Sequence, residues 1–141
     1  MRRPYGSGMK RIVADTNVLV RLVVRDDVEQ WEIASKLFRQ HGFVLLTTVV
    51  LETEWVLRSR YRLDAMRVCA LFEDMMNLDA VEFQEPERVR QALAAHRLGM
   101  DFADALHMVA TPGGHAFVTF DESLVRQARQ QFDHVAVELA Q

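Results

Sequence analysis

The order of apolar and amphipathic segments is the feature of this 141-residue chain that most limits its fold. Short apolar runs alternate with longer segments whose apolar residues recur near helical spacing. Strands joined through helices pair in parallel, because a parallel pair needs a long crossover connection. The alternation therefore predicts an α/β domain with a mostly parallel sheet of about five strands and helices on both faces. The predicted strands are residues 11–14, 43–47, 80–84, 115–120 and 134–139.

Single residues mark where the predicted helices begin and end. Gly42 and Gly99 follow helical segments and are typical of helix C-termini. Asp64 is a suitable N-cap, and Pro86 fits a first helical turn because that position needs no N–H donor. One helix is expected to start after residue 15, and the others span 26–42, 48–61, 64–78, 86–99, 101–111 and 121–132.

Composition limits the number of domains and the class of protein. Half of the residues are hydrophobic, which suits one compact domain at residues 9–141, after a flexible leader or tag at residues 1–8. The formal net charge of −3 argues against nucleic-acid binding through overall positive charge, although it leaves room for a local basic patch. Cys69 is the only cysteine and is expected to be a buried thiol in an intracellular protein. No apolar run approaches the ~20 residues that cross a bilayer, and no signal peptide is evident, so we expect a soluble, cytoplasmic protein.

Acidic residues follow two of the predicted strands. Asp15 comes after the first strand and Asp121 after the fourth. Ligands of open α/β sheets bind beyond the carboxyl ends of the strands, so both carboxylates are candidates for one site. Each is also a reasonable helix N-cap, and Asp101 with Asp104 resembles a capping box. Spacing alone leaves the cap and the ligand interpretations open.

Glu52 and Glu54 lie in a predicted helix that is apolar on most sides. Glu54 has Arg58 four residues later, a favourable surface pair, and is expected to be the solvated one. The neighbours of Glu52 at i−3, i+3 and i+4 are the apolar Val49, Trp55 and Val56, and no Lys or Arg lies at helical spacing from it. Because an unpaired carboxylate among apolar side chains is costly, we expect Glu52 to need a donor or a cation.

Carboxylates contributed by strand ends and helices suit a hard divalent cation. Mg²⁺ prefers oxygen ligands and usually combines protein carboxylates with substrate phosphate oxygens. Such an ion polarises a phosphoryl group and lowers the pKa of an attacking water, with a second ion ~4 Å away in two-metal sites. The pattern therefore favours metal-dependent phosphoryl chemistry.

Four segments in this order resemble one known family. The segments "VADTNVLVRLVVRDD", "VVLETEWVLRSRY", "DFADALH" and "FVTFDESL" are similar to those of PIN-domain ribonucleases of the VapC toxin type. The resemblance runs from about Met9 to the C-terminus. It implies a three-layer α/β/α fold and an endoribonuclease that depends on one or two Mg²⁺ or Mn²⁺ ions. It also implies a cognate VapB-type antitoxin that occupies the active site.

The same resemblance assigns roles to individual residues. It identifies four acids as catalytic residues and metal ligands, namely Asp15, Glu52, Asp104 and Asp121. Supporting positions are matched by Thr16, Asn17, Asp101 and Thr119. The first two would hold Asp15 or a metal-bound water, and Asp101 would support the site or cap its helix.

The sequence gives weaker evidence for RNA-binding residues and for protein partners than for the acids. Five arginines follow the first two motifs and are either a solvated face or contacts for RNA phosphates: Arg21, Arg25, Arg58, Arg60 and Arg62. The segment 64–78 has more apolar positions than one buried stripe requires, which hints at a partner surface. The resemblance implies a homodimer there or nearby.

Two other functions compete with the ribonuclease. A phosphatase or phosphotransferase would phosphorylate Asp15, but such enzymes usually have a second acid two residues later, where this chain has Asn17. A catalytically inactive PIN-like interaction module would be favoured by loss of an acid, and all four acids are present. His107 lies on the same helical side as Asp104, but imidazole suits softer metals, so we expect it to pack rather than bind metal.

Overall fold

A computed structural model describes residues 10–141, and the predicted leader at residues 1–8 lies outside the described residues. Internal contacts divide the chain into two compact units, one ending at Pro86 and the other running from Glu87 to Gln141. Each unit contains its own parallel strands and its own helices.

The first unit contains a three-stranded parallel sheet in the order β1-β2-β3. Its register pairs Val13 with Val44 and Leu45 with Phe83. Its elements are β1 (Ile12–Val13), α1 (Thr16–Val24), α2 (Val28–His41), β2 (Phe43–Leu45), α3 (Thr47–Ser59), α4 (Ala65–Met76) and β3 (Val81–Phe83). Among its fully buried side chains are Leu19, Val20, Phe43, Leu45, Val50, Leu57, Val68 and Phe72.

Gly42 shows why the chain can turn from α2 directly into β2. It is the C-cap of α2, with a positive φ of 71°, and its N–H donates to the carbonyl of Phe38 at 2.9 Å. A Cβ at this position would lie 2.6 Å from the carbonyl oxygen of Ala80. Only glycine meets both the backbone conformation and the close approach of the chain that leads into β3.

The second unit contains two parallel strands and three helices. Its elements are α5 (Pro86–Arg97), which starts at the boundary, α6 (Phe102–Ala110), β4 (Ala116–Thr119), α7 (Glu122–Gln131) and β5 (Ala136–Leu139). The register of β4 and β5 pairs Phe117 with Val137 and Thr119 with Leu139. Fully buried apolar side chains include Val89, Leu93, Met100, Phe102, Ala105, Met108 and Ala128.

The predicted secondary structure is confirmed for all five strands and all seven helices of residues 10–141. Every strand pair is parallel, as expected, and the strands are distributed over a three-stranded and a two-stranded sheet. Cys69 is buried, as predicted. In the described part of the chain, no helix has the length and apolar character that spanning a membrane would require.

Candidate active site

Asp15 lies at the carboxyl end of β1 and is the N-cap of α1. Its backbone is extended, with φ −72° and ψ 159°, and its Oδ1 accepts a hydrogen bond from the N–H of Thr16 at 2.8 Å. N-cap side chains ordinarily accept from the second or third amide of the helix. Asp15 therefore caps α1 only at its first amide, and within residues 10–141 its exposed Oδ2 accepts no hydrogen bond.

Thr16 connects the two predicted acids of the first unit. Its side chain is buried, and its hydroxyl donates to Oε1 of Glu52 on α3. Its N–H donates to Asp15, as described above. Since a hydroxyl has a single proton to donate, Glu52 receives it and the direction of this carboxylate is set. One residue thus orients both Asp15 and Glu52.

The burial of the two glutamates of α3 is the reverse of the prediction. Glu54 is 1% exposed, whereas Glu52 is exposed. Glu54 is compensated by the guanidinium of Arg58, whose Nε and Nη2 donate to the two carboxylate oxygens, Nη2 at 3.2 Å. The Glu54–Arg58 pairing was predicted correctly, but the solvated position of Glu54 was wrong. The buried positions of α3 follow helical spacing and include Val50, Thr53, Glu54 and Leu57.

The inference that Glu52 lies among apolar side chains was also wrong. Its neighbour at i+3, Trp55, is 59% exposed, so apolar residue type did not mean a buried face. The cost of an uncompensated buried charge therefore does not apply to Glu52. What sets it apart is the hydrogen bond from the buried Thr16 hydroxyl.

Asp101 and Asp104 open α6 in the second unit. Asp101 is the N-cap, and its Oδ2 accepts from the N–H of Asp104 at 3.2 Å. The structure thus shows the capping role that the sequence offered as one alternative for Asp101. Asp104 is half-buried, and burial raises the pKa of its carboxyl group. The negative charges of Asp101 and Asp121 raise this pKa further, while His107 opposes them.

Asp121 follows β4 and is the N-cap of α7. Its Oδ1 accepts from the N–H and the hydroxyl of Ser123, at 2.9 and 2.7 Å, and from the N–H of Leu124 at 3.1 Å. The Ser123 hydroxyl and the Leu124 amide lower the pKa of the Asp121 carboxyl group. Thr119 holds the backbone here, because its Oγ1 accepts from the N–H of Asp121 at 3.1 Å.

Ser123 is a supporting residue that the sequence analysis missed. An Asp followed two residues later by Ser is a local capping pattern, because such short side chains bond to nearby groups at helix starts. All three hydrogen bonds converge on Oδ1 of Asp121. Asp121 is exposed, and within the described residues its other carboxylate oxygen, Oδ2, accepts no hydrogen bond.

Three of the five candidate RNA-binding arginines make contacts within the first unit. Arg58 binds Glu54, and the guanidinium of Arg25 lies 4.5 Å from the ring centre of Trp31. Arg21 donates to Gln30 at 2.6 Å, to Tyr61 at 3.1 Å and to Asp26 at 3.2 Å, and the Tyr61 hydroxyl raises the pKa of Arg21. The remaining two are exposed, namely Arg60 and Arg62.

His107 packs as expected. Its ring stacks on Phe117 of β4, with centroids 5.9 Å apart and an interplanar angle of 17°. Asn17, the other predicted supporting residue, is exposed and borders a groove of about 310 Å³ between α1 and α2. Neither residue makes a hydrogen bond to a predicted acid in residues 10–141.

The predicted acids offer the kind of ligand atom that a hard divalent cation prefers. The donor atoms are all oxygens, as Mg²⁺ or Mn²⁺ requires. Burial, and after it the negative charges of Asp101 and Asp121, raise the pKa of Asp104, and a bound cation would favour its ionised form. Among residues 10–141, no group of three or more His, Cys, Asp or Glu side chains is arranged so that it could hold a metal ion. The four-acid ligand set remains a prediction.

Comparison with known proteins supplies the family. A comparison with curated proteins returned no match. The PIN domain family matches residues 12–130, which is most of the chain, and this match includes all four predicted acids. PIN domains are generally nucleases and generally depend on divalent metals, and the predicted α/β/α class is the PIN-like fold class. The alternating strands and helices, the acids at their junctions and this match show that the chain belongs to the PIN domain family.

Proposed function

We propose that this protein is a Mg²⁺- or Mn²⁺-dependent endoribonuclease of the VapC toxin type that acts on cytoplasmic RNA. Its catalytic acids in this proposal are Asp15, Glu52, Asp104 and Asp121. The observation that carries the proposal is the double use of Thr16, which donates through its N–H to Asp15 and through its hydroxyl to Glu52. Glu52 is exposed and has no structural need for a buried donor, so an arrangement that orients both carboxylates is best explained by function.

The proposed site residues have different roles in binding the cation. Bound metal would polarise the phosphodiester and lower the pKa of the attacking water. Asp15 and Glu52 would bind the cation through their carboxylates, which Thr16 orients. Asp121 would bind it through a carboxylate that is held in place by Ser123 and by the N–H of Leu124. Asp104 would supply a half-buried carboxyl group whose pKa is raised by burial and by neighbouring negative charge.

The partners follow from the resemblance to VapC toxins. A cognate VapB-type antitoxin would neutralise the enzyme by covering its active site. A homodimer is supported by exposed apolar side chains on and just after α4, where Met66 is 54% exposed and Leu78 is 48% exposed. Burial of such side chains against a second copy would remove apolar area from water. Arg60 and Arg62 are the arginines best placed to contact RNA phosphates, because both are exposed.

The test compares Asp104→Asn with the unaltered full-length protein. We expect the unaltered protein to cut labelled RNA with Mg²⁺ or Mn²⁺ and not with EDTA. Asp104→Asn should lower the rate by about 10³-fold, since a metal ligand supports several kcal/mol of transition-state stabilisation. Expression of the unaltered protein alone should arrest growth, and this substitution should remove the arrest.

Asp133→Asn is the matched control, because its carboxyl group is 96% exposed and lies outside the proposed site. It should cut RNA at the unaltered rate. A folded protein that cuts no RNA with either metal would contradict the proposal and favour the catalytically inactive PIN-like module.

A further inference from the structure

Phe120 stands between two residues of the proposed active site and is 86% exposed. It follows Thr119, the last residue of β4, and precedes Asp121, the N-cap of α7. Leaving an aromatic ring in water forfeits the stabilisation that burial of such a side chain contributes. Single exposed apolar residues are common, so the position and the support of Phe120 must carry any inference.

The alternation of burial along β4 places the Phe120 ring on the exposed side of the strand, outside the packed interior. Phe117 and Thr119 are half-buried, whereas Val118, at 57%, and Phe120 are exposed. The half-buried side of the strand includes the ring of Phe117 that stacks on His107. Since side chains alternate across a strand, Phe120 continues the exposed side past the end of β4.

The backbone on both sides of Phe120 is held by hydrogen bonds. The carbonyl of Thr119 accepts from the N–H of Ala140 at 2.7 Å, and the Oγ1 of Thr119 accepts from the N–H of Asp121 at 3.1 Å. Asp121 is then fixed by three hydrogen bonds at the start of α7. A phenylalanine side chain has only two χ angles, so a ring on this support loses little entropy when it binds a flat partner.

We propose that Phe120 is the residue on which a base of single-stranded RNA stacks, beside the phosphate that is cut. This inference rests on the proposed function, because it takes Asp121 as a ligand of the metal at the scissile phosphate. The Cα atoms of Phe120 and Asp121 are one peptide apart, about 3.8 Å, and in this proposal the ring takes a base while the acid serves the neighbouring phosphate. Stacking tolerates every base, because each has a π-face.

The experiment measures binding separately from cleavage. Two fluorescein-labelled probes are used in EDTA, a 12-nucleotide oligoadenylate and a 12-unit ribose-phosphate strand without bases, with affinity read by fluorescence anisotropy. Phe120→Ala should weaken binding of oligoadenylate by about 5- to 150-fold, the range for loss of one base–aromatic stack. Binding of the strand without bases should be unchanged, and Phe120→Trp should keep the oligoadenylate affinity.

Leu98→Ala is the matched control, since Leu98 is 73% exposed and lies outside the β4–α7 junction. It should bind both probes as the unaltered protein does. The proposal is overturned if Phe120→Ala behaves like this control, if it weakens both probes equally, or if the unaltered protein fails to bind oligoadenylate more tightly than the strand without bases. Cleavage by the unaltered protein with Mg²⁺ or Mn²⁺ is measured in parallel, so failure of the proposed function is seen separately from failure of stacking.

Discussion

Three acids of the first unit differ from Asp104 of the second unit in what surrounds their carboxylates. In the first unit these three carboxylates have hydrogen-bond donors, because Thr16 serves Asp15 and Glu52 and Arg58 serves Glu54. In the second unit, burial and neighbouring negative charge raise the pKa of Asp104. The first set is stabilised by hydrogen bonds and an ion pair, and the second contains an acid that the folded chain destabilises.

In the proposed function, this difference separates structural acids from functional ones. A carboxylate that stabilises the fold, such as Glu54, is satisfied by its partner. A carboxylate that raises the free energy of the folded chain, such as Asp104, needs another reason for its presence, and proteins commonly accept such costs at functional sites. In the proposed function, the raised pKa of Asp104, which burial and neighbouring negative charge produce, is consistent with a role in cation binding.

The largest effect is expected from a substitution that breaks the Glu54–Arg58 ion pair of the first unit. Arg58→Met removes the guanidinium that compensates Glu54, whose side chain is 1% exposed. We expect the free energy of unfolding to fall by about 2–3 kcal/mol, below the 3–5 kcal/mol of a fully buried pair because Arg58 is itself 32% exposed. Urea denaturation measures the change.

Two companion variants sharpen that result. Glu54→Leu combined with Arg58→Met should recover most of the loss, because it removes the buried charge together with its partner. Arg90→Met breaks a surface pair with Glu87, whose side chains are 54% and 69% exposed, and should cost less than about 1 kcal/mol. Equal losses for Arg58→Met and Arg90→Met would contradict the structural role of Glu54.

A smaller effect is expected from loss of the Thr16 hydroxyl. Thr16→Val keeps the shape of this buried side chain and removes the donor to Glu52. RNA cleavage should slow by about 10- to 100-fold, the usual cost of losing a group that orients metal ligands. Rates are measured at saturating Mn²⁺, with thermal melting as the check on folding. Thr16→Ser should restore cleavage, and an unchanged rate for Thr16→Val would show that Glu52 needs no orientation.

The smallest effect concerns the second unit, where removal of a charge should stabilise the protein. Because the pKa of Asp104 is raised on folding, the folded chain binds more protons than the unfolded chain between the two pKa values. The free energy of unfolding therefore falls as pH rises through this window. At pH 7 Asp104→Asn should raise the free energy of unfolding by at least about 0.2–0.5 kcal/mol, the cost of one like-charge pair on a helix. The gain should disappear below about pH 3.9, the ordinary pKa of Asp.

Asp121→Asn is the control of opposite sign for thermal melting across the same pH range. Hydrogen bonds from Ser123 and Leu124 lower the pKa of Asp121, so its carboxylate stabilises the fold at neutral pH. That contribution is lost as pH falls through the lowered pKa. Asp121→Asn should therefore lower the melting temperature slightly at pH 7. A stabilising effect of this substitution would remove the distinction between the two acids.

Much of the fold and part of the candidate site could be predicted from local sequence. The strands and helices were predicted correctly because apolar spacing and end signals, such as Gly42 and Asp64, act over a few residues. The capping positions of Asp15, Asp101 and Asp121 follow from the same local rule. Asp15 and Asp121 each follow a predicted strand and precede a predicted helix, and this position is what made them candidates in the sequence.

Burial of the two glutamates in α3 depended on tertiary packing. Both lie among apolar neighbours in the sequence, and only the packed helix decides that Glu54 faces inward while Trp55 and Glu52 face solvent. The hydrogen bond from Thr16 to Glu52 joins residues on different helices, so no local pattern contains it.

The sequence by itself determined the order of strands and helices, their caps and the kinds of oxygen ligand that the chain can offer, because these depend on residue type and short-range backbone geometry. The tertiary structure alone decided which carboxylates are compensated and which repel one another. Electrostatic energy depends on distance and burial, and neither follows from separation along the chain.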